Sequence, residues 1–258
     1  MIIDKEEAFN KTRIAGSIAS GALDEVSKII KPGITTAAID NLCYEFINDN
    51  SAYSAPLFYR GFPKSCCTSV NHIICHGIPK DKNLNSGDII NVDVTAYKDG
   101  WHGDTSRMFF VGDVSVKAKK LVDTTYKSMM KAIEILSDGV TVGDIGSTIQ
   151  KYVEQEGFSV VRDFCGHGIG RTFHTEPNIL HYGKKGTGTK LNTGMIFTIE
   201  PMVNEGLYDT KILNDGWTAV TKDKKLSAQF EHTIGITNDG YEIFTLSKKG
   251  LDFPPYKT

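Results

Sequence analysis

The chain has 258 residues, of which 40% are hydrophobic and 23% are charged, and its formal net charge is −2 at pH 7. This length allows one large domain or two small ones with a sizeable core, and the composition is that of a globular protein. The small net charge and the lack of a long basic run argue against nucleic acid or an anionic membrane surface as the main partner.

The N-terminal sequence and the cysteines indicate a cytoplasmic protein. Residues 1–7 lack a basic start followed by an apolar run, so no signal peptide is predicted, and no apolar stretch reaches transmembrane length. The five cysteines are an odd number without the spacing of a zinc site. We therefore expect reduced thiols, most of them buried.

Two amphipathic helices are predicted at the start of the chain. The first spans residues 5–30, with inward-facing positions Ile14, Ile18, Ala22, Val26 and Ile29–Ile30. Lys31-Pro32-Gly33 ends it, and Thr35 is the predicted N-cap of the second helix. Residues 51–63 are rich in aromatic residues, proline and glycine, and could cover the core or line a pocket.

Cys67–Ile74 is a predicted strand, and a β-hairpin follows it. In its first strand Ile90, Val92 and Val94 alternate with polar residues, which is typical of a half-buried strand. The dipeptide Asp99-Gly100 is a turn signal.

The length of this turn decides where two acids of the hairpin lie. With a two-residue turn, Asp104 pairs with Thr95 and lies on the same face as Asp93. A loop one residue longer sends Asp104 to the other face. Two acids this close repel each other unless a cation lies between them, although an isolated pair is also explained by exposure to solvent.

The second half of the chain repeats this order of elements. Ser115 is the predicted N-cap of a third helix, and a fourth begins at Thr141. The last predicted strand covers residues 229–236, a short hairpin follows at 238–240, and the tail after Pro254-Pro255 is predicted to be unstructured.

Two collinear matches indicate an internal duplication. Residues 191–200 resemble residues 84–93 at an offset of 107, which aligns Glu200 with Asp93. Residues 33–35 match residues 139–141 at an offset of 106. We therefore predict an α+β fold in one domain, residues 1–258, with a pseudo-repeat of roughly 5–110 and 115–236 whose halves each supply an acid to a shared site.

The polar residues at strand ends and in glycine-flanked turns form a candidate metal site: Asp93, Asp104, His167, Glu200 and Glu231, with His76 and His174 nearby. Four carboxylates carry about four negative charges, which two divalent cations would neutralise. One imidazole among oxygen ligands suits Mn, Fe, Co or catalytic Zn. Surface salt bridges alone would not explain why these acids recur on duplicated strands.

Six short motifs resemble those of the type I methionine aminopeptidases, in order and over nearly the whole chain. They are Cys75-His76-Gly77-Ile78-Pro79, Val92-Asp93-Val94-Thr95, Trp101-His102-Gly103-Asp104-Thr105-Ser106, Phe164-Cys165-Gly166-His167-Gly168-Ile169-Gly170 with His174, Ile179, His181 and Tyr182, Thr198-Ile199-Glu200-Pro201-Met202, and Gln229-Phe230-Glu231-His232-Thr233. The resemblance implies the pseudo-two-fold pita-bread fold, with a central antiparallel sheet and helices on its outer face. It also implies removal of the initiator methionine from nascent polypeptides whose second residue is small.

The resemblance also implies roles for the site residues. Asp104 and Glu231 would bridge two metal ions, Asp93 would chelate one of them, and His167 with Glu200 would complete the other. His174 would stabilise the tetrahedral intermediate near the scissile carbonyl. His76 would contact the scissile nitrogen, and Glu200 would shuttle a proton from the attacking water.

A methionine pocket is implied as well, lined by Tyr59, Phe62, Cys67, Phe173 and Trp217. Aromatic edges contact a thioether favourably, so the residues themselves agree with this assignment and favour the pocket wall for residues 51–63. Two positions depart from the family pattern: Thr175, where many bacterial members have glutamate, and Pro56, where some have cysteine. Neither is a ligand, so the departures concern fine specificity.

The short spacing from His174 to Glu200 leaves no room for the helical insertion of type II enzymes, and the sequence fits the bacterial form of type I. We expect a cytoplasmic monomer that acts on nascent chains at the ribosome. One alternative is a proline-specific peptidase of the same fold, but those enzymes usually carry a long domain ahead of the first motif histidine. Another is a non-catalytic binding protein, which would not need five ligands.

Overall fold

The structure, a computed structural model, describes residues 5–256. Within this range the chain forms four α-helices and fifteen strands, and every strand pairing is antiparallel. The helices are α1 (Lys5–Ile29), α2 (Thr36–Asp49), α3 (Val116–Glu134) and α4 (Val142–Gln155). The strands are β1 (Tyr53–Ser54), β2 (Cys67–Val70), β3 (Ile73–Cys75), β4 (Ile89–Lys98), β5 (Trp101–Phe110), β6 (Ser159–Val160), β7 (Gly166–Gly168), β8 (Thr175–Ile179), β9 (Ile196–Ile199), β10 (Met202–Asn204), β11 (Thr210–Ile212), β12 (Ala219–Thr221), β13 (Ser227–Gln229), β14 (His232–Thr237) and β15 (Gly240–Ile243).

The predicted helix starts are confirmed by their caps. The Thr35 and Ser115 side chains each accept a hydrogen bond from a backbone N–H in the first turn of α2 and α3. Thr141 and Asp144 form a reciprocal capping box at the start of α4. The inward face of α1 is shifted from the predicted one, because Ile14 is 47% exposed while Ala15, Ala19 and Leu23 are fully buried.

The two halves of the chain make the same local contacts at their matching turns. Gly33 N–H donates to Leu84 O in the first half, and Gly139 N–H donates to Leu191 O in the second, both at 2.8 Å. Both glycines have positive φ, 91° and 87°. The duplicated sequences therefore form equivalent connections between the helix pairs and the strands that follow.

Two sheets carry most of the candidate site. In the first half β4 pairs with β1, β2 and β5, and in the second half the order is β15-β14-β9-β7-β8. The two sheets join where Ser106 N–H donates to Glu231 O and Glu231 N–H donates to Ser106 O, at 3.3 and 3.1 Å. Nearby, Asp104 N–H donates to the Thr233 hydroxyl, which donates to Asp104 O.

The helices pack against one face of these sheets. Val92 and Val94 of β4 lie in a core with α1 and α2, and Phe197 and Ile234 lie in a second core with α3 and α4. Strand alternation sends the intervening side chains to the opposite face, which is where the cavity lies. Among residues 5–256, every helix is too short or too polar to span a membrane.

Three details differ from the sequence expectations. The predicted strand Cys67–Ile74 is two strands separated at Asn71, where φ is 57°. The predicted final strand is also interrupted, between β13 and β14. Of the tail that was predicted to be unstructured, Tyr256 packs on Phe109 at 4.9 Å between ring centroids and donates a hydrogen bond to Met108 O, and residues 257–258 lie outside the described residues.

Candidate active site

The hairpin of β4 and β5 has the register that the sequence analysis required. Lys98 pairs with Trp101, so the turn holds only Asp99 and Gly100. Both turn residues have positive φ, 49° and 88°, which fits a tight hairpin turn of the primed type. The even-length turn is thus confirmed.

This register brings the two acids of the hairpin to one face. Asp104 is paired with Thr95, whose hydroxyl donates to Asp104 Oδ1 at 2.7 Å. Asp93 is one diagonal step away and lines the same cavity. Asp104 is 4% exposed, so the reading of two solvated surface acids is wrong for this residue.

Three residues from both halves form a group that could hold a cation. One ligand atom from each of Asp104, His167 and Glu231 lies within 4.8 Å of the others. His167 Nε2 is 3.7 Å from Asp104 Oδ2 and 3.6 Å from Glu200 Oε1. The buried Glu231 Oε1 has no hydrogen-bond partner among the described residues. A divalent cation would satisfy this oxygen and the crowded carboxylates together.

The pKa values of the cluster also favour a bound cation. Burial raises the pKa of Asp93 to about 7 and that of Glu200 to about 8. Burial and neighbouring carboxylates also raise the pKa values of Asp104 and Glu231. Burial lowers the pKa of His167 to about 4, which leaves a neutral imidazole free to act as a ligand. The ionised acids are therefore unfavourable here unless a cation accompanies them.

Several polar residues that the sequence analysis named only as parts of motifs, without a role as ligands, fix these ligands. The Thr198 hydroxyl donates to Glu200 Oε1 at 2.8 Å and accepts from His167 N–H at 3.0 Å. Gln229 Nε2 donates to Glu200 Oε2 at 3.2 Å. His181 Nε2 accepts from Glu200 N–H at 3.1 Å. Thr198 and Thr95 each lie two residues from a predicted ligand, Glu200 and Asp93 respectively. This spacing, which brings alternate residues to one strand face, could have identified them from the sequence.

The two remaining histidines lie along the cavity wall. His174 Nδ1 and the Tyr59 hydroxyl form a hydrogen bond of 3.1 Å, and their rings stack at 5.1 Å. Partial burial, and then the neighbouring His167, lower the pKa of His174. Burial lowers the pKa of His76 as well. Both imidazoles are therefore neutral near pH 7 and can donate one hydrogen bond each.

An apolar recess adjoins the acid cluster. Phe62 and Trp217 make a T-shaped contact at 5.2 Å, and Tyr59 lies 4.9 Å from Phe173. Cys67 is 7% exposed and belongs to the same wall. Residues 51–63 thus contribute to the pocket wall, including Pro56, whereas Thr175 is not among the lining residues.

All twelve residues predicted for the site line one cavity of about 350 Å³. They are Tyr59, Phe62, Cys67, His76, Asp93, Asp104, His167, Phe173, His174, Glu200, Trp217 and Glu231. The cavity also has lining residues that the sequence analysis did not assign, among them Arg60, Asp163 and Gln229. An acid cluster at one side and an aromatic recess at the other can bind a cation and an apolar side chain together.

Comparison with known proteins identifies the family of this chain. The sequence matches metallopeptidase family M24 over residues 10–238. A methionine aminopeptidase of Rickettsia prowazekii is 57% identical over 255 residues, which cover 98% of each chain. The crystal structure of methionine aminopeptidase from the same organism has a TM-score of 0.93 at 57% identity and covers 95% of this chain and 99% of that one.

A more distant structure shares the fold alone. Prolidase from Pyrococcus furiosus is 22% identical, with a TM-score of 0.76 over 96% of this chain and 66% of its own. The α+β pita-bread fold with two related halves is thus confirmed, as is the resemblance that the six motifs carried. The chain belongs to metallopeptidase family M24 and, within it, to the methionine aminopeptidases.

Proposed function

We propose that this chain removes the N-terminal methionine from polypeptides whose second residue is small. The observation that carries the proposal is one cavity in which the aromatic recess of Phe62 and Trp217 adjoins the acid cluster around Glu231. A methionine side chain in the recess would direct its own peptide bond toward the acids. The family membership and the two relatives named methionine aminopeptidase support the same reaction.

We also propose two divalent ions, Co, Mn, Fe or Zn, as the cofactors. The fit rests on the donor set, because the four carboxylates that line the cavity balance the charge of about two divalent ions and the neutral imidazole adds one nitrogen ligand. Asp104 and Glu231 would contact both ions, Asp93 would hold one, and His167 with Glu200 would hold the other. Such ions activate water for attack and polarise the carbonyl that is attacked.

The protein side chains would then orient the peptide and move the protons. Neutral His174, held by the Tyr59 hydroxyl, would donate a hydrogen bond to the scissile carbonyl oxygen as charge develops on it. His76 would contact the scissile nitrogen from the facing wall. Glu200 would take a proton from the attacking water and pass it to the leaving amine.

The recess explains why methionine is the residue removed. Tyr59, Phe62, Phe173 and Trp217 line the recess together with Cys67, and aromatic rings make favourable contacts with a thioether. The enzyme would act as one domain, residues 1–258 with halves of roughly 5–110 and 115–236. It would work as a cytoplasmic monomer on nascent chains at the ribosome, without specificity for nucleic acid or membrane.

Methionine release from Met-Ala-Ser and Met-Leu-Ser, with and without a chelator, tests the proposal. We expect metal-dependent release from Met-Ala-Ser and little from Met-Leu-Ser. Equal rates would refute the small-residue specificity, and activity that resists the chelator would refute the metal requirement. Hydrolysis of an added Xaa-Pro peptide instead would favour a proline-specific peptidase, and the absence of any hydrolysis would favour a binding protein.

A further inference from the structure

Arg60 is a cavity residue that the proposed reaction does not use. It lies in the short turn Tyr59–Gly61 with a positive φ of 48° and is exposed. Its guanidinium lies 5.3 Å from the centroid of the Tyr59 ring, a cation–π contact that holds the charge at the cavity wall. Among residues 5–256, no hydrogen bond or ion pair reaches this guanidinium, so its charge is available to a ligand.

This charge lies close to the reacting end of the cavity. The Tyr59 ring contacts both the Arg60 guanidinium and the His174 imidazole. The Tyr59 and His174 ring centroids are 5.1 Å apart. The positive charge of Arg60 adds to the burial and the neighbouring imidazoles that lower the pKa of His174. Arg60 therefore lies beside the group that would meet the scissile carbonyl.

No other described residue of the cavity supplies a fixed positive charge. Arg60 is the single lysine or arginine among the lining residues of the part that the structure describes. One acid outside the ligand set, Asp163, also lines the cavity, but its carboxylate accepts a hydrogen bond from the Thr210 hydroxyl. That bond leaves the negative charge of Asp163 in place, so Arg60 would favour an acidic side chain of the substrate and Asp163 a basic one.

We propose that Arg60 is a specificity-determining residue that favours an acidic side chain at the third position of the substrate. The inference rests on the proposed function, in which the second residue of the substrate is small. The third residue is then the first after methionine whose side chain can carry a charge. An extended peptide advances about 3.3 Å per residue, so the third side chain is within reach of an arginine beside His174.

Three peptide amides test this inference on the metal-loaded enzyme: Met-Ala-Glu-Ser-amide, Met-Ala-Gln-Ser-amide and Met-Ala-Lys-Ser-amide. The amide ends remove a terminal carboxylate that Arg60 could bind instead. At low ionic strength we expect kcat/KM to fall from the Glu to the Gln to the Lys peptide, by about three- to tenfold overall for a partly exposed ion pair. High salt should reduce the ratio because it screens exposed charges.

Variants assign the preference to one side chain. Arg60→Gln should bring the Glu-to-Lys ratio close to one, Arg60→Lys should keep a preference for Glu, and Arg60→Glu should invert it. Lys119→Gln, the same charge change at an exposed site on α3, should leave the ratio unchanged. Metal content and thermal unfolding of each variant exclude a folding defect as the cause.

Three results would overturn the inference: no preference in the unmodified enzyme, a preference that survives in Arg60→Gln, or a preference for Lys. A preference for Lys would show that Asp163, and not Arg60, selects the third residue of the substrate. These results differ from failure of the proposed function itself, in which none of the three peptides would release methionine. Equal release from all three would therefore contradict only the role of Arg60.

Discussion

The buried acids lead to a prediction about the protein without metal. Glu231 is 2% exposed, and its Oε1 has no hydrogen-bond partner among the described residues. Burial and then the carboxylate of Asp104 raise its pKa, so its ionised form is unfavourable. We expect Glu231→Gln, which keeps the shape and removes the charge, to stabilise the metal-free protein at about pH 8 and to weaken its binding of metal.

The size of this effect follows from the burial of the group. A buried polar group without a partner costs about 1–3 kcal/mol. For a chain of this size each kcal/mol changes the Tm by about 2–4 °C, so we expect an increase of about 2–12 °C.

The effect of Glu231→Gln on the stability of the metal-free protein depends on pH. Since a raised folded-state pKa of an acid gives stability that is complete below its unfolded value, the metal-free protein has the full contribution of these carboxyl groups only at or below about pH 4. It loses that stability as pH rises through the folded-state pKa values, which include about 7 for Asp93 and about 8 for Glu200. The advantage of Glu231→Gln should therefore be small at about pH 5 and large at about pH 8.

Thermal unfolding of the chelator-treated protein at these two pH values measures the effect. Glu134→Gln removes an exposed carboxylate from α3 and should leave the Tm unchanged at both. With metal added, the unmodified protein should have the higher Tm, because it binds the cation more tightly than Glu231→Gln and is stabilised more by it. A lower Tm for metal-free Glu231→Gln at about pH 8, or an equal increase at about pH 5, would refute the argument that repulsion between buried acids limits stability.

Two further predictions concern metal retention and the buried ion pair of the first half. Asp104→Ala should lose bound metal, whereas His174→Ala should retain it and lower turnover, and metal analysis with steady-state kinetics distinguishes the two. Arg107 is 1% exposed and bonds Asp24 at 2.6 Å, so Asp24→Asn should cost about 3–5 kcal/mol in urea unfolding. Asp123→Asn, which removes an exposed pair, should cost at most about 0.5 kcal/mol.

Local patterns were enough to predict the hairpin and its acids. Alternation along residues 90–95 fixed which face each side chain takes, and Asp99-Gly100 fixed the turn. The capping residues Thr35, Ser115 and Thr141 fixed the helix starts for the same reason, because a cap is an interaction within one turn. These features depend on neighbours in the sequence.

Contacts between distant segments could not be predicted in the same way. A Cβ on Gly103 would overlap the backbone of Gly16, so α1 lies directly on β5 only because residue 103 is glycine, whereas a Cβ on Gly16 would overlap Phe244 O. The order of the tail through Tyr256 depends on the surface that β5 offers it. The hydrogen bond from Gln229 to Glu200 joins β13 to the residue that follows β9, a strand of another sheet. No local pattern encodes such pairs.

The candidate metal site lies where the two halves of the chain join, and this placement couples metal binding to folding. Asp104 comes from β5 in the first half, whereas His167 and Glu231 come from the second. The backbone bonds between Ser106 and Glu231 hold the same junction closed. Without a cation, ionisation of these acids costs free energy at the junction that the bonds hold closed. A cation that neutralises acids of both halves therefore cross-links them as well, and its binding free energy adds to the stability of the folded chain.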